Sequence, residues 1–96
     1  MADQWTLVRF EEHFDHWVAA EDPSDDLRVL VLDWIMTRHE NPHGGVRRET
    51  GFDNLWYGQI PESGDGRGNV VICSYFVWVA TRTVTCNGIA TLSWPV

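Results

Sequence analysis

His13 and His16 stand three residues apart in a stretch of helical periodicity, the spacing of a possible metal-ligand pair, and acidic side chains are plentiful around them. A metal centre would need further ligands at tight spacing. Of the remaining histidines, His39 falls at the end of a second helical stretch and His43 just after it, and Cys73 and Cys86 lie far along the chain in apolar, strand-like sequence. The four histidines therefore read as surface or edge residues, and no metal or cofactor is expected. Neither cysteine has an adjacent base or helix start to activate it, so both read as buried free thiols. Asp65-Gly66-Arg67-Gly68 is glycine-rich but opens a strand, not a helix, so it lacks the dipole of a phosphate loop. Arg47-Arg48 is the one basic pair. Two guanidinium groups can hold phosphate through two-point contacts, or can be a solvated pair neutralised by Glu49 and Asp53.

These residues are set into a chain of 96 residues, long enough for one domain (1–96) with one modest core. Formal net charge is −7, and every basic side chain is Arg. A protein that holds a nucleic-acid backbone without sequence preference carries a basic surface. The balance here argues against that class and is compatible with a protein or small-ligand partner. No basic segment followed by an apolar run opens the chain, and no stretch reaches about 18 apolar residues. The chain reads as cytoplasmic, without signal peptide or membrane span.

The organising stretch is Asn69 to Leu92. Val70 to Val79 is apolar or aromatic on both alternating sides apart from Ser74, which predicts a central strand covered on both faces. After a break at Ala80-Thr81-Arg82, Val84 and Cys86 alternate with Thr83, Thr85 and Asn87, which predicts a hairpin partner with one wetter face. A hairpin turning there sets Cys73 nearer Ile89 than Cys86, against a cross-strand disulfide. Upstream, Trp5 to Phe10 reads as a short strand. A helix follows with Glu11 and Glu12 in its first turn and Phe10, Phe14, Trp17, Val18 and Glu21 on one face. Asp22 and Pro23 read as the cap and first position of a second helix running to about Glu40. Its main apolar face is Leu27, Leu30, Val31, Trp34 and Ile35, while Val29, Leu32 and Met36 form a second apolar strip fit for a partner. Val46 to Asn54 reads as a polar connection, Leu55 to Ile60 as a strand, and Pro61 to Gly68 as a loop. Trp5, Trp17, Trp34, Trp56, Trp78 and Trp94 read first as core.

The order strand, helix, helix, three strands resembles the RelE/ParE toxin superfamily. The similar stretch is NPHGGVRRETGFDNLWYGQI: Asn41-Pro42 after the second helix, the pair Arg47-Arg48, Gly51 in a turn, and Leu55-Trp56 opening a strand. Tyr75 resembles the tyrosine that ends the next strand. The resemblance implies an α+β fold: a small twisted antiparallel sheet with a two-helix hairpin on one face. It also implies a ribosome-dependent mRNA endonuclease (an mRNA interferase) neutralised by an antitoxin protein. On that reading Arg47, Arg48 and Tyr75 are the catalytic candidates, with Tyr75 stacking a base or passing a proton. Arg67 and Arg82 are candidate RNA contacts, and Val29, Leu32 and Met36 the antitoxin surface. The chain departs from the family at Gln59 and Ile72, where an arginine is usual, and at Ala90, Thr91 and Leu92, where a basic residue is usual. Cleavage through the 2′-hydroxyl needs stabilisation of developing phosphorane charge, and these departures remove cations that would supply it. The alternative is a non-catalytic interaction module on the same scaffold; a small metal or ligand binder is a third reading.

Overall fold

The computed structural model describes residues 4–93; the expectation that Trp94 is core falls outside them. The elements are β1 (Thr6–Val8), α1 (Phe10–Glu21), α2 (Asp25–Met36) with a 3₁₀ extension (Thr37–His39), β2 (Arg47–Arg48), β3 (Leu55–Gln59), β4 (Asn69–Trp78), a 3₁₀ turn (Val79–Thr81) and β5 (Thr83–Ser93). The five strands form one sheet in the order β1-β5-β4-β3-β2. The fold is α+β, as the sequence predicts. Two features lay beyond the predicted order. β2 is a two-residue edge strand within the expected polar connection, and β1 pairs with β5 in parallel, so the sheet is mixed.

β4 and β5 make the expected hairpin. Arg82 takes a left-handed conformation after the 3₁₀ turn, and Cys73 lies opposite Ile89 while Cys86 lies opposite Tyr75. A bulge between Ser74 and Tyr75 carries Asn87 out of the ladder, where its side-chain amide donates to Ser74 Oγ across 3.1 Å.

Helices cover one face of the sheet. Val71, Cys73, Tyr75 and Val77 of β4 and Val84, Cys86 and Ile89 of β5 are buried there with Trp5, Phe10, Trp17, Val31 and Ile35. Phe14, Trp34 and Trp56 pack on this cluster half-buried. The expectation that β4 is covered on both sides is corrected. On the second face Ile72 is buried, outside the main core cluster, but Val70, Ser74 and Phe76 are only half-buried and Trp78 is exposed. Apolar residues there are sheltered by side chains of neighbouring strands, which the one-dimensional pattern cannot distinguish from a second layer.

Two local boundaries also move. Arg9 adopts φ 68°, ending β1 and turning Phe10 into the core as the first residue of α1 instead of the last of a strand. Ser24, not Asp22, caps α2: its hydroxyl accepts from the Leu27 amide at 3.2 Å. Asp22 instead ends α1 in a left-handed conformation and pairs with Arg28.

Candidate functional site

Consecutive residues of a strand face opposite sides of a sheet. Arg47 lies opposite Tyr57 and, through β3, in line with Ser74, on the face without helices. Arg48 lies opposite Trp56 and in line with Tyr75, on the helix side. The pair therefore does not converge on one phosphate. Both arginines are exposed, and neither has an ion pair or side-chain hydrogen bond among the described residues; Glu49 and Asp53 do not neutralise them.

Tyr75 is fully buried between Phe10 and Trp34, with ring centroids 6.0 and 6.3 Å away. Its hydroxyl donates to the Pro42 carbonyl and accepts from Arg38 Nη1 at 3.1 Å. Burial pushes its pKa up to about 12 against the opposing pull of Arg38. In this setting the phenol is a structural link, held away from solvent.

The residues that the fold does bring together around Arg47 are Tyr57 and Gln59. With Gly45, Gly58 and Pro61 they line a hollow of about 450 Å³. Gly58 is required here: a Cβ would stand 2.8 Å from Val46 Cγ1 and 3.3 Å from the Gly45 carbonyl. The hollow offers a guanidinium for a phosphate, a half-buried phenol that can stack or hydrogen-bond, and an amide that can read a polar edge. It supplies one cation. Sequence reasoning missed Tyr57 because β2 is too short to show a pattern, and only its register sets Tyr57 beside Arg47.

Arg67 and Arg82 stand at opposite ends of β4, whose ten residues span about 33 Å, so they do not share a site with each other. Arg82 lies with its guanidinium 4.6 Å from the Trp5 ring. Around Arg67, the Asp65 carboxylate accepts from the backbone amides of Arg67 (2.7 Å) and Asn69 (3.2 Å) and from the Asn69 side chain (2.9 Å). The Asn69 amide and then the Arg67 amide hold its pKa down. The glycine-rich loop is thus wound on its own carboxylate, which takes up amides that a phosphate would need.

Val29, Leu32 and Met36 are exposed at 56, 43 and 56%. Leu32 and Met36 also line a groove of about 570 Å³ with Leu7, Phe10 and Phe14, bordered by Glu11 and Asp15 and by Arg9 and His39; Val29 stands outside it.

His39 is tied into the fold: its carbonyl accepts from the Trp5 amide at 2.7 Å, and its Nδ1 lies 2.9 Å from the Trp5 carbonyl. His43 sits edge-on to Trp5 and Trp56, with centroids 6.1 and 4.8 Å away. Among the described residues no three His, Cys, Asp or Glu side chains gather in a metal-binding arrangement. Both cysteines are buried free thiols. Hydrogen bonding with Cys86, together with burial, pushes the Cys73 thiol well up and keeps it protonated. No helix among the described residues is long and apolar enough to cross a membrane.

The residue with no place in the sequence-based reading is Arg38. It is 5% exposed and donates to the Gly44 carbonyl (2.7 Å), to Tyr75 and twice to Thr37 Oγ1, with Trp34 4.2 Å beneath its guanidinium. An arginine near a helix end reads as surface, and no local signal marks it otherwise.

No protein-family model and no curated protein matches the chain. Among solved structures, the chain is similar to the E. coli toxin RelE in its free state, in a form with two arginines changed to alanine. The likeness covers 90% of this chain and 81% of that one, at a TM-score of 0.60 and 12% sequence identity. The fold is RelE-like.

Proposed function

We propose that the domain is a RelE-type toxin held in check by a protein antitoxin. The observation that carries this reading is the RelE-like fold over 90% of the chain. On this reading the exposed strip of α2 (Val29, Leu32 and Met36) receives the antitoxin. The target is mRNA on the ribosome, in the cytoplasm, and the RNA lies at the hollow of Arg47, Tyr57 and Gln59. Arg48, Arg67 and Arg82 would add peripheral attraction for phosphate, not a converging catalytic set.

A second reading is favoured by a specific observation. Tyr75 is sealed in the core with its hydroxyl already hydrogen-bonded, and the open hollow has a single cation. A scaffold so equipped suits a non-catalytic interaction protein, which binds its partner without cutting RNA. Induced expression separates the two. On the toxin reading, growth stops, ribosome-bound mRNA is cut, and Arg47→Ala relieves the arrest while Arg48→Ala, on the other face, relieves it less. Harmless expression with intact mRNA gives the interaction reading the lead.

A further inference from the structure

At the hairpin end of the open sheet face, Trp78 is held flat. Its indole N–H donates to Thr85 Oγ1 at 3.2 Å, and its ring stacks on Phe76 with centroids 5.9 Å apart and planes 24° apart. Although so fixed, Trp78 is 47% exposed, and Val79 beside it is 69% exposed. Together with Asp53, Asn54, Thr83 and Thr85 these residues line a shallow hollow of about 810 Å³. The ladder explains the arrangement. Val77 N–H donates to the Asn54 carbonyl at 2.9 Å, which carries Asp53 alongside Trp78 just beyond the end of β3.

The hollow carries a single charged lining residue, Asp53. Asp53 has no ion pair or side-chain hydrogen bond among the described residues, and no basic residue lines the hollow. Arg82, next in the hairpin, lies over Trp5. An indole face attracts cations through its quadrupole, and an adjacent unpaired carboxylate adds a counterion. A phosphate chain would meet a carboxylate here, and a net charge of −7 behind it. A ring already immobilised loses little freedom on binding, which suits an anchor position.

We propose that the Trp78–Asp53 hollow is a docking site for a cationic side chain, a guanidinium above all, presented by a basic protein partner. The guanidinium lies over the indole and pairs with Asp53, while the Thr83 hydroxyl and the Asn54 amide oxygen can accept its outer N–H groups. This site is independent of the toxin reading, since it shares no residue with the Arg47 hollow or the α2 strip.

The test is NMR titration of the intact domain with the peptide acetyl-Gly-Arg-Gly-Arg-Gly-amide. The Trp78 indole resonance is assigned by its loss in Trp78→Phe. The expected result is a shift of that indole N–H and of the Asp53 and Asn54 amides. The same peptide with Glu for Arg should leave them unmoved. Asp53→Asn and Trp78→Ala should each weaken binding about three- to tenfold, with Trp78→Phe closer to the parent. Both positions are exposed, and circular dichroism checks that the variants fold. No shift, equal shifts with the Glu peptide, or unchanged affinity in both variants overturns the proposal. So does an oligouridylate that moves these resonances when the Arg peptide does not, which would make the surface a nucleic-acid face.

Discussion

Arg38 donates to the Tyr75 hydroxyl across 3.1 Å, joining the extension of α2 to the central strand of the sheet. The hydroxyl in turn donates a hydrogen bond to the Pro42 carbonyl, and the same Arg38 nitrogen donates to the Gly44 carbonyl. The Asn41-to-Gly45 turn is thereby fixed to the core from beneath. No carboxylate partners Arg38 among the described residues; carbonyls, hydroxyls and the Trp34 ring surround it. A buried cation held this way depends on every member of the network.

Tyr75→Phe should therefore destabilise the domain although the ring is retained. It leaves the Pro42 carbonyl without its donor and removes one acceptor from Arg38, a cost of about 1–3 kcal/mol. Denaturant unfolding measures it. A stability equal to that of the parent would show that water replaces the hydroxyl at no cost.

The same phenol predicts a dependence on alkaline pH. Its pKa is pushed up to about 12, chiefly by burial, from an unfolded value of 10. The folded state therefore holds the proton more tightly than the unfolded state. The resulting stability, about 2–3 kcal/mol, is fully present below pH 10 and is lost as pH rises from 10 through 12. Unfolding curves between pH 9 and 12 should show this slope, and Tyr75→Phe should make it shallower, leaving the share of the Cys73 thiol, which its hydrogen bond with Cys86 and burial also push up.

How far the sequence could be read follows from the range of each interaction. The β4–β5 hairpin, the two helices and the free thiols were legible because alternation, helical spacing and the break at Arg82 are local signals. The parallel pairing of β1 with β5 was not, since it joins Thr6 to Thr83 across nearly the whole chain. Arg38 and Tyr57 were missed for the same reason: their significance lies in partners brought by the fold, Tyr75 for one and Arg47 for the other. The left-handed turn at Arg9 also escaped notice, because nothing in an arginine announces a positive φ. Whether Tyr75 meets RNA or packs in the core depends on its surroundings, which only the fold supplies: Phe10, Trp34 and Arg38.

Gly58→Ala tests how the Arg47 hollow is built. The new methyl would press on Val46 Cγ1 at 2.8 Å and on the Gly45 carbonyl at 3.3 Å, so β2 must shift from β3. Overpacking of this kind costs about 1–3 kcal/mol. The expected signature is lost stability with faster hydrogen exchange confined to Arg47, Arg48 and their partners Trp56 and Tyr57. Uniform exchange changes across β4 and β5 would mean that β2 is not a separable edge.

The exposed side of α2 yields the last prediction. Val31 and Ile35 face the core at 0 and 4% exposure, and Leu32 and Met36 turn outward to border the groove with Phe10 and Phe14. Glutamates at Leu32 and Met36 would meet solvent and would sit near Glu11 and Asp15, without entering the packed layer. Substitutions at such surface positions change stability by about 0.5 kcal/mol or less, so Leu32→Glu with Met36→Glu should melt close to the parent. If an antitoxin-type partner lies along this strip, the double change should abolish co-purification of that partner, because it replaces the apolar side chains of the seat with two carboxylates that the partner's apolar surface would have to desolvate. Val29→Glu, outside the groove, separates the two parts of the strip: retained binding confines the seat to the groove, and lost binding extends it along the helix. If the double variant unfolds, Leu32 and Met36 belong to the core, and the partner surface on α2 must be withdrawn. If it folds and still binds, the partner sits elsewhere on the domain.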